Sequence, residues 1–234
     1  DMYSYNTKHN EKNGWNNEDG ESNNRSWNCG VEGETDDPAV NALRLRMCKN
    51  AFAALMCSHG AVMFLAGDEF CNTQFGNNAY CQDNITSWLD WSRREKYGEM
   101  YEFAKEMIRF RKEHPVLRKT TEESRCGFPD ISVHNDVPWN TECRDDTHCI
   151  SLMYAGRKKD QEEDDIVYVA VNTYWEDLNL TLPELPVGLV WKIKVDTAAE
   201  YDPAWKSWKL KEMTEEYKTV ISQRSVLILV AEKR

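Results

Sequence analysis

The run from Val62 to Ala66 restricts the fold more than any other stretch. Five apolar residues stop abruptly at Gly67-Asp68-Glu69, and a polar loop rich in amides and aromatics follows as far as Trp91. A short apolar run bounded by glycine has the pattern of a buried parallel strand. Proteins of the α/β class place ligand sites in loops that leave the carboxyl ends of such strands.

The residues on either side fit that setting. Asp37-Pro38 predicts a helix start, with Asp37 as N-cap and Pro38 at the first helical position. Val40, Leu43, Met47, Ala51, Ala54 and Leu55 recur at helical spacing, and Gly60 is the expected stop. A second helix is predicted from Tyr97 to Glu113, because Met100, Phe103, Ala104, Met107 and Ile108 share one face. Pro115 lies just beyond it. Helix, turn and buried strand together make half of a βα repeat.

The pattern changes past Leu117. Short apolar or alternating runs occupy Asp130 to Val133, Cys149 to Tyr154, Ile166 to Asn172, Leu178 to Leu182, Val190 to Val195 and Val226 to Val230. Polar loops separate them, which predicts an antiparallel β-sandwich. The expected domains are therefore 1–117, of α/β type, and 118–234, all-β.

Composition narrows the partners. A formal net charge of −11 and a pI near 5.0 leave no basic stripe for a nucleic-acid backbone. No apolar run reaches the roughly 20 residues of a membrane helix, and no secretory leader is read at the start. The eight cysteines contain no CxxC pair, so they are read as reduced thiols of a cytoplasmic protein. His134, Cys143, His148 and Cys149 fit no zinc spacing, and neither a metal nor a cofactor is expected.

Two polar segments carry the chemistry. Residues 3 to 36 hold His9, Asn10, Asn13, Trp15 and many further asparagines. Residues 67 to 96 hold Asn77, Asn78, Tyr80, Gln82, Asp83, Asn84 and Trp88. Aromatic faces stack on the apolar face of a sugar ring, and amides and carboxylates satisfy its hydroxyls. Each group also has a plainer reading. Asn77-Asn78 is compatible with a turn, His9 with loop packing, and Trp88 and Trp91 are read as core. Asp68-Glu69 is not read as an acid/base pair, since adjacent side chains on extended chain point to opposite sides and cannot flank one bond; Asp68 or Glu69 is read as an orienting neighbour rather than a direct sugar contact.

Two motifs, KHNEKNGWNNEDG (Lys8 to Gly20) and LAGDEFCNTQFGNNAYCQDNITSWLDW (Leu65 to Trp91), resemble the bacterial glycogen-debranching enzymes. These form part of the isoamylase and pullulanase branch of the α-amylase superfamily of glycoside hydrolases. RFRKEHPVLR (Arg109 to Arg118) and DIVYVAVNTYWEDLNLTLP (Asp165 to Pro183) extend the resemblance over nearly the whole chain. It implies the C-terminal part of a (β/α)8 TIM barrel followed by an antiparallel β-sandwich. In that reading residues 1 to 36 follow the seventh strand, 37 to 59 form the seventh helix, 62 to 66 the eighth strand and 97 to 113 the eighth helix. The implied activity is hydrolysis of α-1,6 branch points in glycogen or dextrin with retention, by a carboxylate nucleophile and a carboxylic acid/base.

The chain departs from the family in starting after the expected positions of all three catalytic carboxylates. No catalytic role passes to any residue here. The substrate-binding residues carried over by motif are His9, Asn10, Asp68, Glu69, Asn77, Asn78, Tyr80 and Asp83. The chain is expected to be inactive alone. Val62 and Phe64 are expected to lack partners unless upstream barrel sequence or a second copy covers them. The expected ligand is an α-glucan. The alternatives are a non-catalytic carbohydrate-binding or interaction module built from the sandwich, or a relative with pullulanase-like or trehalose-releasing specificity.

Overall fold

The computed structural model describes residues 1–78, 82–118, 122–142, 144–157 and 162–234. They form two compact units. One comprises Asp1–Lys49 and Met63–Lys105, the other Asn50–Val62 and Glu106–Arg234.

The first unit is mostly loop around helical segments. Helix α1 (Pro38–Cys57) starts where the sequence places it. Asp37 Oδ1 accepts the Ala39 N–H at 2.8 Å and the Val40 N–H at 3.3 Å, satisfying two donors that a helix leaves open. A short helix α2 (Arg93–Lys96) leads into α3 (Gly98–Glu113). Of the face predicted for α3, Met100, Phe103, Ala104 and Met107 are buried, while Ile108 is half-buried. Within this unit the buried Lys49 of α1 pairs with Glu99 at the start of α3, at 2.7 Å. Burying an ammonium is tolerable only with such a partner.

The predicted strand from Val62 to Ala66 is not formed. Residues 61–65 are extended chain without ladder partners, and Met63 is 88% and Leu65 65% exposed. A strand is defined by its neighbours, since its N–H and C=O groups must pair across a ladder. No described strand lies beside this segment.

The second unit is built on strands β1 (Ile131–His134), β2 (Cys149–Arg157), β3 (Asp164–Asn172), β4 (Leu178–Thr181), β5 (Leu189–Asp196), β6 (Tyr201–Asp202), β7 (Ser207–Trp208), β8 (Lys218–Ile221) and β9 (Ser225–Lys233). Five of them form one antiparallel sheet in the order β1-β2-β3-β9-β5. Strands β4 and β8 pair separately, as do β6 and β7. Alternation decides which side chains meet. Ile166, Tyr168 and Ala170 of β3 and Leu227 and Leu229 of β9 share a core with Leu180 of β4, Trp191 of β5 and Ile221 of β8. Side chains of the five-stranded sheet and of the β4–β8 pair thus bury one another, the arrangement expected of packed sheets. Their neighbours Val167, Val169, Val226 and Ile228 point the other way and are buried too. Pro115–Arg118 lies against β2 and β3, and His114 bonds Asp165 of β3 at 2.6 Å.

All six runs picked out by alternation carry strands. The three missed pieces, β6, β7 and β8, are only two to four residues long, so period-two patterning has little to act on. At the foot of α1 the buried Arg111 guanidinium donates to the carbonyls of Met56, Ser58 and Gly60, the last at 2.7 Å. These are acceptors that a helix end leaves open, and a cation there also matches the helix dipole.

Candidate functional site

The two polar segments meet within the first unit through their amides. Asn10 is fully buried. Its Nδ2 donates to Asn78 Oδ1 at 2.6 Å and to the Asp19 carbonyl at 2.8 Å, and its Oδ1 accepts the Asn78 backbone N–H at 2.9 Å. A second pair runs alongside, with Asn77 Nδ2 donating to Asn13 Oδ1 at 2.8 Å. Asn13 Nδ2 donates to Asp19 Oδ2 at 2.7 Å, and Gln82 Nε2 reaches Asn13 Oδ1 at 3.2 Å. Buried amides must be saturated in this way, because an unpaired one costs about 1–3 kcal/mol. Gly20 sits against the pair with φ +73°; a Cβ there would lie 2.1 Å from Asn78 Oδ1 and 2.8 Å from Asn10 Nδ2.

His9 belongs to the same contact region. Its N–H donates to the Gly76 carbonyl at 2.8 Å, and its ring edge meets Tyr5 at 5.4 Å. His9 Nε2 lies 2.9 Å from Glu32 Oε1. Glu32 also accepts the N–H groups of Asn6 at 2.8 Å and Thr7 at 3.2 Å, and Asn28 Nδ2 at 2.9 Å. Desolvation alone would raise the Glu32 pKa, but the hydrogen bonds from Asn6, His9, Asn28 and Thr7 outweigh it and hold the carboxyl down at about 2.

Asp68 and Glu69 lie in a 3-10 turn, Asp68–Phe70, rather than on extended chain. Asp68 Oδ2 accepts the Leu65 N–H at 3.0 Å, and Glu69 Oε2 accepts the Gly67 N–H at 2.8 Å. Both carboxylates therefore hold the turn's own backbone. Desolvation raises the Asp68 pKa. Cys71 closes the turn, and a hydrogen bond with Cys48 of α1 lowers the Cys48 pKa and raises that of Cys71. Arg93 Nε donates to the Cys71 carbonyl at 2.7 Å while its Nη1 pairs with Glu34 at 2.8 Å. Buried Arg44 reaches from α1 to the carbonyls of Asn28 and Val31. Asp83 accepts the Trp88 indole N–H at 3.0 Å. Tyr80 lies outside the described residues.

Trp88 and Trp91, expected in the core, are 56% and 64% exposed, and Trp15 is 70% exposed. Trp91 rests one face on buried Phe70, at 5.4 Å. A flanking polar loop gives the indoles nothing larger to bury against. The surface of the two segments thus presents indole faces, while Asn10 and Asn77 are turned inward and spent on the scaffold. The partners missed in the sequence were Asp19, Gly20 and Glu32. Only Gly20, in the turn-forming pair Asp19-Gly20, carried a local signal. His134, one of the residues weighed as a metal ligand, has both ring nitrogens engaged, with Trp139 N–H at 2.7 Å and Ser132 Oγ at 2.9 Å. Cys143 lies outside the described residues.

No family model matches the chain. Individual proteins do. The chain is 39% identical over 219 residues to the "Glycogen operon protein GlgX homolog" of Mycobacterium bovis, a match covering 84% of this chain and 30% of that protein. It is 37% identical over 202 residues to chloroplastic isoamylase 3 of Oryza sativa subsp. japonica, covering 86% of this chain and 24% of the relative. Among solved structures, a pullulanase of Paenibacillus barengoltzii in complex with maltohexaose and α-cyclodextrin superposes with a TM-score of 0.57 at 21% identity, over 86% of this chain and 26% of that one. The pullulanase of Bacillus acidopullulyticus gives 0.56 at 19% identity, over 84% and 21%. The chain belongs to the family of the GlgX homologs and isoamylases. It spans 24% to 30% of the length of these curated relatives.

Proposed function

We propose that this chain is the C-terminal part of a debranching glycoside hydrolase that cleaves α-1,6-glucosidic branch linkages with retention. Residues 1–117 are the end of its (β/α)8 barrel and 118–234 its sandwich domain. The observation that carries the reading is the Asn10–Asn78 amide pair, which brings the two family-like loops to one place. Those loops form one wall of a glucan groove. His9, Asn10, Asp68, Glu69, Asn77, Asn78 and Asp83 shape or line it, and Tyr80 joins them by motif alone. The inward-turned amides set the loop geometry, and the exposed faces of Trp15 and Trp88 stack on glucosyl rings.

The reactive carboxylates come from sequence outside these residues, so the chain alone does not hydrolyse glucan. The relatives' greater length supports this. So does the apolar segment at 62–66, where Met63 and Leu65 stand in solvent for want of strands on either side. The missing barrel strands are its natural cover. A cytoplasmic location belongs to the same reading, supported by the reduced thiols of Cys57 and Cys149.

The test joins the preceding barrel sequence of a GlgX homolog to this chain and assays branched dextrin. Release of linear maltooligosaccharides with retained anomeric configuration is expected, against none from the chain alone. An intact, folded fusion that releases nothing, or hydrolysis by the unjoined chain, overturns the proposal.

A further inference from the structure

At one end of the sandwich unit the β1–β2 connection encloses a cleft of about 280 Å³. Asn135, Asp136, Asn140, Asp146, Thr147 and His148 are among its lining residues. Its volume lies just below the range of drug-sized ligand sites, which suits a ligand of one small ring. Beside it three rings touch in series. His148 lies parallel to Tyr174 at 3.9 Å and 8°, and Tyr174 meets Trp175 at 4.1 Å. Trp175 is 58% exposed, so the stack ends on an indole open to solvent. The order is fixed by the backbone, because the His148 carbonyl accepts both the N–H and the hydroxyl of Thr173 at 3.0 Å.

Part of the cleft's polar surface is open to a ligand. The Asp136 and Asp146 carboxylates make no hydrogen bond among the described residues. Asn135 and Asn140 use their Oδ1 atoms to accept the N–H groups of Val137 at 2.8 Å and Glu142 at 3.1 Å, which leaves both Nδ2 groups free to donate. Arg144 is taken up by Glu142. An anion is disfavoured by the two unpaired carboxylates. Among the described residues no group of three or more metal-ligating side chains converges. A lone cation would leave the amide donors without acceptors. A neutral polyhydroxyl ligand uses both kinds of group, since each hydroxyl donates and accepts, and its ring face suits the terminal indole.

We infer that this end of the sandwich binds a glucan chain, with one sugar in the cleft formed by Asn135, Asp136, Asn140, Asp146 and His148 and the chain running over Trp175. The site involves none of the loop residues of the first unit and contributes attachment to polymer rather than chemistry. The choice of α-glucan rests on the proposed function; the cleft itself asks only for a neutral saccharide.

Titration calorimetry of the intact 234-residue chain with maltoheptaose, and mobility in glycogen-containing gels, test this. Trp175→Ala and Asp146→Asn change exposed side chains and leave the melting temperature unchanged. Each weakens binding at least fivefold, while Trp205→Ala, a change at an exposed indole outside both proposed sites, leaves affinity unaltered. Binding that disappears in Trp88→Ala and is indifferent to Trp175→Ala and Asp146→Asn overturns the site while leaving the loop reading intact. Absence of any measurable binding of maltoheptaose, cellohexaose or xylohexaose also overturns it. Binding of cellohexaose but not maltoheptaose, with the same dependence on Trp175, upholds the cleft and counts instead against the glucan chosen from the proposed function.

Discussion

The Asn10 carboxamide and Asn78 bond each other twice, once through Asn78 Oδ1 at 2.6 Å and once through the Asn78 backbone N–H at 2.9 Å. The two residues are 68 positions apart in the chain. A side chain that donates to one atom and accepts from another of the same residue fixes its direction as well as its distance. That pair holds the two polar segments of the first unit in register.

Asn10→Ala removes both of these bonds and the one to Asp19, leaving buried groups of Asn78 and Asp19 unpaired. A loss of about 2–4 kcal/mol is expected for the first unit. Urea unfolding followed by tryptophan fluorescence, with Trp15 and Trp88 as reporters, measures it. A change under 0.5 kcal/mol would mean that water replaces the amide at no cost.

Gly20→Ala is expected to act on the same pair from the other side. The added methyl meets Asn78 Oδ1 and must also adopt φ +73°. Hydrogen exchange at the Asn78 amide, which Asn10 accepts, should quicken by about tenfold or more, and an unchanged exchange rate would contradict the packing described.

Glu32 links pH to the order of the first loop. Its pKa is held at about 2 against an ordinary 4.5. A depressed carboxyl contributes stability that is fully present above the ordinary value and is lost as pH falls toward the folded one. The loop should therefore loosen between about pH 4.5 and 2, and Glu32→Gln should flatten that dependence. Acid titration of the first unit's melting temperature in both proteins checks the sign.

Arg111→Met leaves the Met56, Ser58 and Gly60 carbonyls without their donor at the end of α1. The methionine fills the space but bonds nothing, so a cost of about 2–4 kcal/mol is expected in the second unit. Differential scanning calorimetry reads it directly.

Met63→Lys with Leu65→Lys places two charges on side chains already 88% and 65% exposed. Stability should shift by less than about 0.5 kcal/mol. Sedimentation of the chain alone should show less self-association, since an uncovered apolar segment is a surface for a second copy. Equal association in both forms would place the contact elsewhere.

Much of the architecture was local enough to read from residues alone. Asp37-Pro38 marked a helix start because a side-chain oxygen and a fixed φ act within three residues. The six main strands of the sandwich announced themselves by alternation, because a half-buried strand sorts its own side chains. The family resemblance lay in contiguous loop motifs, and it named His9, Asn10, Asn77 and Asn78 without saying what they touch. The apolar run at 62–66 shows the limit. Its composition suits a buried strand, but strand pairing belongs to the neighbours, and none of the described ones is beside it.

Sequence by itself thus determined the two long helices, the main antiparallel strands and the family, since each rests on short-range periodicity or on continuous motif. Tertiary structure alone decided that Asn10 faces Asn78, that Asp68 and Glu69 serve their own turn, and that Trp88 and Trp91 face solvent. Those outcomes depend on which distant groups compete for each donor, acceptor or ring face, and a chain fixes that competition only once it is folded.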